Sequence, residues 1–227
     1  MPNTKKILLV EGEADKGFFE EICKNSNLDT SVKVAPPKEL GGSHNTKGGV
    51  INHLRDVLLP QLADGSITHI ATVVDADYVI HGSGYERTLN RLSDVLAPYG
   101  FNLEIGQAES NGLCFKNSDG LADFGLWIMP RNQHEGMLED WVKSCVDETE
   151  KELFEHATNV VEQLENLKKF QNHKTSKAEV ATWLAWQKEP GHGLYHLVTE
   201  GLLNRQRPLF VEIEQWLEKV FADLPEQ

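Results

Sequence analysis

The residues best suited to chemistry in this chain are carboxylates placed where apolar runs end. Ile70-Ala-Thr-Val-Val-Asp-Ala-Asp-Tyr78 stops abruptly at Asp75 and Asp77, which are separated by a single residue. A β-prone run without polar alternation predicts a strand buried on both faces, as in the interior of a parallel sheet. In extended chain, residues i and i+2 point to the same side, so the two carboxylates are expected to converge. Adjacent anions repel, and each tends to keep its proton unless a cation lies between them. An all-oxygen donor set of this kind suits a hard divalent ion, Mg2+ or Mn2+.

A second run supplies a matching half. Lys6-Ile-Leu-Leu-Val10 is followed by Glu11-Gly-Glu-Ala-Asp15, and Phe18, Phe19, Ile22 and Cys23 then recur at helical spacing. Strand, acidic turn and helix therefore occur in order, with Gly12 allowing a tight exit from the strand. In an open α/β sheet, sites form at the carboxyl ends of parallel strands where the strand order reverses. Glu11 is expected there beside Asp75 and Asp77, with Glu13 and Asp15 as supporting acids.

The elements that must position these groups follow from patterning. Ser31-Val-Lys-Val34 reads as a strand closed by Pro36-Pro37, and the loop Lys38–Gly49 leads into a helix with Val50, Ile51, Leu54, Val57 and Leu58 on one face. The N–H groups at that helix start attract phosphate, and Lys47, His44 and Ser43 are candidates to assist. Leu89, Leu92, Val95 and Leu96 define a helix that stops before Pro98, with Arg87 near its start as a further phosphate candidate. Phe101–Ile105 alternates as a half-covered strand, Gly106 to Gly120 reads as a polar loop, and Gly125–Met129 is a last apolar strand before a helix expected to carry Glu135, Glu139 and Asp140. Beyond Asp147 the pattern becomes helical: one stripe from Leu153 to Leu167, a second helix from Ser176 to Glu189, and a third through Phe210 and Phe221. The expected organisation is an α/β domain over residues 1–145, with a mostly parallel sheet flanked by helices, and a helical cap over residues 146–227 packed on it.

Composition sets bounds. A chain of 227 residues with 40% hydrophobic and 25% charged residues has the make-up of a globular protein with a sizeable core. Three cysteines are too few and too scattered for a disulfide framework or a zinc knuckle. Without an apolar run of membrane-spanning length or a signal-peptide core, the expected location is cytoplasmic. The formal charge of −13 argues against a long phosphate-tracking surface, so any nucleic acid must be held through metal, a few cations or a partner.

At Val10-Glu11-Gly12 and Asp75-Ala-Asp77 the chain resembles the TOPRIM domain of topoisomerases, bacterial primases, recombination mediators and OLD-type nucleases. Leu126–Gln133 followed by Gly136-Met-Leu-Glu-Asp140 is similar to a stand-alone TOPRIM-like family of unknown function related to the nuclease branch. The resemblance implies a Rossmann-like TOPRIM fold, Asp75 and Asp77 as Mg2+ or Mn2+ ligands, and Glu11 as ligand or general acid/base. It adds Glu139 as a further acid near the metal and Lys177, in His173-Lys174-Thr-Ser-Lys177, as a lysine assisting chemistry. Arg131 stands where an acidic residue would be expected, which weighs against a second metal. No tyrosine is placed as a topoisomerase nucleophile and no template-binding machinery is legible, which leaves phosphodiester hydrolysis of DNA or RNA, with a homodimer or a partner ATPase as the associated assemblies. Two alternatives stand beside it: a non-catalytic nucleotide- or protein-binding module, and aspartates that merely shape a turn and cap a helix.

Overall fold

The computed structural model describes residues 5–37, 43, 45–104 and 112–223. Six strands form one sheet: β1 (Lys6–Val10), β2 (Ser31–Val34), β3 (His69–Asp75), β4 (Phe101–Leu103), β5 (Leu113–Asn117) and β6 (Phe124–Met129). Their order is β2-β1-β3-β6-β5-β4. The first four neighbours run parallel, and β5 pairs antiparallel with both β6 and β4. This is the α/β class expected, with a mostly parallel sheet between helices. Strands β1, β3 and β6 are buried on both faces, which explains their unbroken apolar sequence.

The helices are α1 (Glu13–Asn25), α2 (Lys47–His53), α3 (Leu59–Ala63), α4 (Tyr85–Leu96), α5 (Leu138–Cys145), α6 (Lys151–Glu162), α7 (Thr175–Ala185), α8 (Tyr195–Thr199) and α9 (Pro208–Val220). A wide turn at Leu54–Leu58 joins α2 to α3. One sheet face packs Ile7, Leu9, Ile70, Val74 and Ile128 against α2 to α4. The other packs Leu8, Val10, Val73 and Trp127 against α1, α5 and the C-terminal helices. Trp127 meets Trp216 of α9 with ring centroids 5.5 Å apart. A side chain at Gly125 would bring its Cβ within 2.6 Å of Val220, so a glycine in mid-strand lets α9 lie close to the sheet.

Several boundaries differ from the sequence reading. The segment read as a polar loop between Gly106 and Gly120 contains β5, whose short Leu-Cys-Phe core is followed by Lys116 and Asn117 and so carries little alternation. The stripe from Leu153 to Leu167 breaks after Glu162 into a tight turn at Glu165–Leu167, and the second helix ends at Ala185 instead of Glu189. Glu135 precedes α5, where it accepts a hydrogen bond from the Val79 N–H at 2.9 Å. His44 and Ile105 lie outside the described residues. No helix among the described residues is long and apolar enough to cross a membrane.

Candidate functional site

β1 and β3 are hydrogen-bonded neighbours, so their carboxyl ends open side by side. Glu11 is the first residue past β1, and its Oε1 accepts from the backbone N–H of Asp75 at 3.0 Å. Asp75 Oδ1 accepts in turn from the N–H of Leu138 at the start of α5, at 2.9 Å. A helix start presents unpaired N–H groups and the positive end of its dipole, which favours an anion there. Glu139, the next residue, is buried and pairs with Lys177 of α7 at 3.5 Å. Asp15 Oδ2 accepts from the Gly12 N–H at 3.0 Å and closes the first turn of α1. Glu11, Asp15, Asp75 and Lys177 line a cavity of about 330 Å3 with Glu13, Ala14 and Asn45.

The electrostatics follow from crowding acids in a half-buried space. Burial pushes Glu11 up to about 7, with the charges of Asp77 and Asp15 adding to it and Lys47 opposing. Asp15 is pushed up to about 6 by burial and then by Glu139. Asp75 is raised well above the usual carboxylate range by burial, then by Glu11, Asp15 and Glu139. Burial raises Glu139 too, although Lys177 opposes it. For Lys177, burial works to lower the pKa, but Glu139, Asp75 and Asp15 outweigh it and the ammonium is held more firmly than usual. The cluster is therefore short of positive charge, and a divalent cation would relieve its repulsion.

The donor set fits a hard ion, since every candidate ligand is a carboxylate oxygen. The bonds to the Asp75 and Leu138 N–H groups use one oxygen of Glu11 and one of Asp75 and leave the other outside this pair of contacts. Among the described residues, no three His, Cys, Asp or Glu side chains already close on one point. Glu11, Asp75 and Glu139 come from three different stretches: the exit of β1, the end of β3 and the first turn of α5.

Apart from Glu13, the structure places the other expected residues away from this pocket. Asp77 does not share the side of Asp75, because extended chain ends at Asp75. Asp77 adopts a left-handed backbone with φ 59° and pairs in an antiparallel bridge with Gly136. Its Oδ2 is held by the Lys47 ammonium at 2.6 Å and by Ser83 Oγ at 3.3 Å. Lys47, 8% exposed, also donates to the Ala76 carbonyl, Ser83 Oγ and Thr88 Oγ1, so its donors are spent inside the fold instead of at the loop where phosphate contact was expected. Glu13 is exposed at the cavity rim and faces Lys16. Arg87 is exposed on α4 beside Gly82. Arg131 pairs with Glu212 of α9 at 2.8 Å, so this cation ties the C-terminal helix to the sheet.

Asn45, which sequence reasoning passed over, and Asp140, which it named only as an acid of the following helix, both position the site. Asn45, with φ 57°, accepts from the Glu13 N–H at 3.0 Å and lines the cavity; a Cβ at Gly12 would approach its Oδ1 to 2.8 Å. The glycine is thus needed for close approach, beyond the tight turn. Asp140 accepts from Ser176 Oγ, from the Met137 N–H at 2.9 Å and from the Tyr78 hydroxyl at 3.4 Å. It joins the exit of β3, the start of α5 and the turn that carries Lys177. An acid in the first turn of a helix was legible, but its long-range partners were not.

These features define an α/β protein whose mostly parallel sheet carries a carboxylate cluster at the ends of two adjacent strands. The chain belongs to the family described as Protein of unknown function (DUF3226), whose model matches residues 5–222. No curated protein and no solved structure matches it.

Proposed function

We propose that this protein is a metal-dependent phosphodiester hydrolase of TOPRIM type that acts on nucleic acid, with Mg2+ or Mn2+ held by Glu11, Asp75 and Glu139. The observation that carries this reading is the meeting of Glu11, Asp15, Asp75 and Glu139 at the carboxyl edge of a parallel sheet with Lys177 as their neighbouring cation. A bound divalent ion would supply charge neutralisation at the phosphate and a lowered pKa for the attacking water. Glu11, with its pKa raised to about 7 in the metal-free protein, would give up that proton when the ion binds and serve as a ligand; the general acid/base role would fall to it only if it stayed off the ion. Asp15 supports it electrostatically, and Lys177 provides a positive charge for a phosphate oxygen. Asp77 acts in this scheme by anchoring the turn after β3 through Lys47, with direct ligation requiring that ion pair to open. A cytoplasmic location, and a homodimer or an ATPase as assembly partner, belong to the same proposal.

The Lys47–Asp77 ion pair favours a second reading, a non-catalytic nucleotide- or protein-binding module, because it withdraws one of the two expected aspartates from the cavity. Calorimetric titration of Mn2+ and Mg2+ into the wild type and Asp75→Asn, with nicking of plasmid and single-stranded DNA assayed on the same preparations, separates the two. Metal binding and cleavage lost together in the variant support the hydrolase. Metal binding without cleavage supports the module. No binding to the wild type removes the metal site.

A further inference from the structure

An open groove adjoins the acid cavity, and its lining differs in kind. It encloses about 270 Å3, and the two spaces share Ala14 and Lys177 as a common wall. On α7, Lys177, Val180, Ala181, Leu184 and Ala185 recur at the spacing of one helical face, which runs from the acids outward. Val180 and Leu184 are buried and form an apolar floor, while Ala181 and Ala185 are exposed at its edge. Gly191 and Gly193 line the groove too, so small residues leave its width unfilled. Its polar groups are few: the buried Glu139 with Lys177, which also lines the acid cavity, and the exposed His192. The His192 ring is fixed in a parallel stack on His196, 4.5 Å between centroids and 10° between planes, and its Nδ1 is bonded to the Tyr195 hydroxyl at 2.5 Å.

We propose that this groove takes the base of an unpaired nucleotide whose phosphate lies at the acid cluster. The inference rests on the phosphodiester reading of that cluster and names the kind of substrate it takes. A nucleobase has apolar faces and a polar edge, which matches an apolar floor with a few polar side chains beside it. The volume falls just below the range of about 300–1,000 Å3 typical of drug-sized ligands, so it suits one heterocycle and not a bundle of side chains. Lys177, common to both spaces, stands where a phosphate would connect to its nucleoside. The net charge of −13 argues against a long cationic track for a duplex, which favours affinity drawn from the phosphate site and the unit next to it. A base in a duplex is stacked and paired, and reaches such a groove only after it is extruded or when the strand is already single.

The test compares AMP with ribose 5-phosphate, which has the same phosphate and sugar without the base, by calorimetry in the presence of Mn2+. The wild type is expected to bind AMP at least about tenfold more tightly, the order given by burying a base face on apolar side chains. Ala181→Phe and Ala185→Leu, each filling the groove from a different position, are expected to abolish that preference while affinity for ribose 5-phosphate and the thermal midpoint stay unchanged. Equal binding of the two compounds by the wild type overturns the base site and leaves the metal reading standing if Mn2+ still binds. An AMP preference that both variants lose, in a protein that binds no Mn2+, upholds the groove and overturns the hydrolase. Variants that alter the oligomeric state and not the AMP preference would make the groove a protein interface, which also overturns the proposal.

Discussion

Replacing Glu11 by Gln is expected to stabilise the metal-free protein in mildly alkaline solution and to leave it nearly unchanged in acid. Glu11 titrates near 7 in the fold against 4.5 for an ordinary glutamate, chiefly because it is buried. For an acid whose folded pKa is raised, the native state binds the proton more tightly than the unfolded chain does. Below pH 4.5 both states are protonated and there is no penalty; the penalty grows as pH rises through the interval to about 7 and is complete above it. At ~1.4 kcal/mol for each tenfold change in proton affinity, the ionised native state loses about 3 kcal/mol. Glutamine keeps an oxygen to accept the Asp75 N–H and carries no charge, so this loss disappears in the variant. Urea unfolding in EDTA at pH 4.5 and pH 8 measures it. The stability difference between Glu11→Gln and the wild type should grow by about 3 kcal/mol between those conditions, equivalent to roughly 6–12 °C in thermal midpoint for a chain of this size. A difference that is the same at both pH values would refute the assignment of Glu11 as a half-buried, proton-retaining carboxyl. Asp15, raised from 3.8 to about 6, should contribute in the same direction over its own interval.

Two further outcomes test the scaffold of the site. Lys47→Met removes the buried ammonium that ties Asp77, Ala76, Ser83 and Thr88 together, and should cost about 2–4 kcal/mol in chemical unfolding because those acceptors lose their donor. An unchanged unfolding midpoint would show that the pair does not hold the turn after β3. Asp140→Asn weakens the junction of Tyr78, Met137 and Ser176, and should speed amide hydrogen exchange at the start of α7 more than in β1 or β3. Uniform acceleration across the sheet would instead indicate a global loss of stability.

What the sequence determined by itself was local. Unbroken apolar runs marked β1, β3 and β6 because strands buried on both faces have no solvent side to require polar residues. Glu11 and Asp75 could be placed at strand ends because a run ends where its first charge appears, and the helical stripes of α1, α4 and α9 followed from their 3.6-residue period. The family resemblance that drew attention to Glu139 and Lys177 was likewise carried by short motifs. Only the tertiary structure decided which charges meet. Asp77 lies two residues from Asp75, yet a left-handed backbone turns it to Lys47, thirty residues away in sequence. Asp15, one helical turn beyond Glu11, joins Asp75 and Glu139 because β1 and β3 are neighbours and α5 begins against the end of β3. β5 stayed hidden because its antiparallel place beside β6 is fixed by pairing and not by its own weak alternation. Period and propensity act over a few residues, whereas the field at a carboxylate depends on every charge and every buried surface within several ångströms. That neighbourhood exists only once the chain has folded.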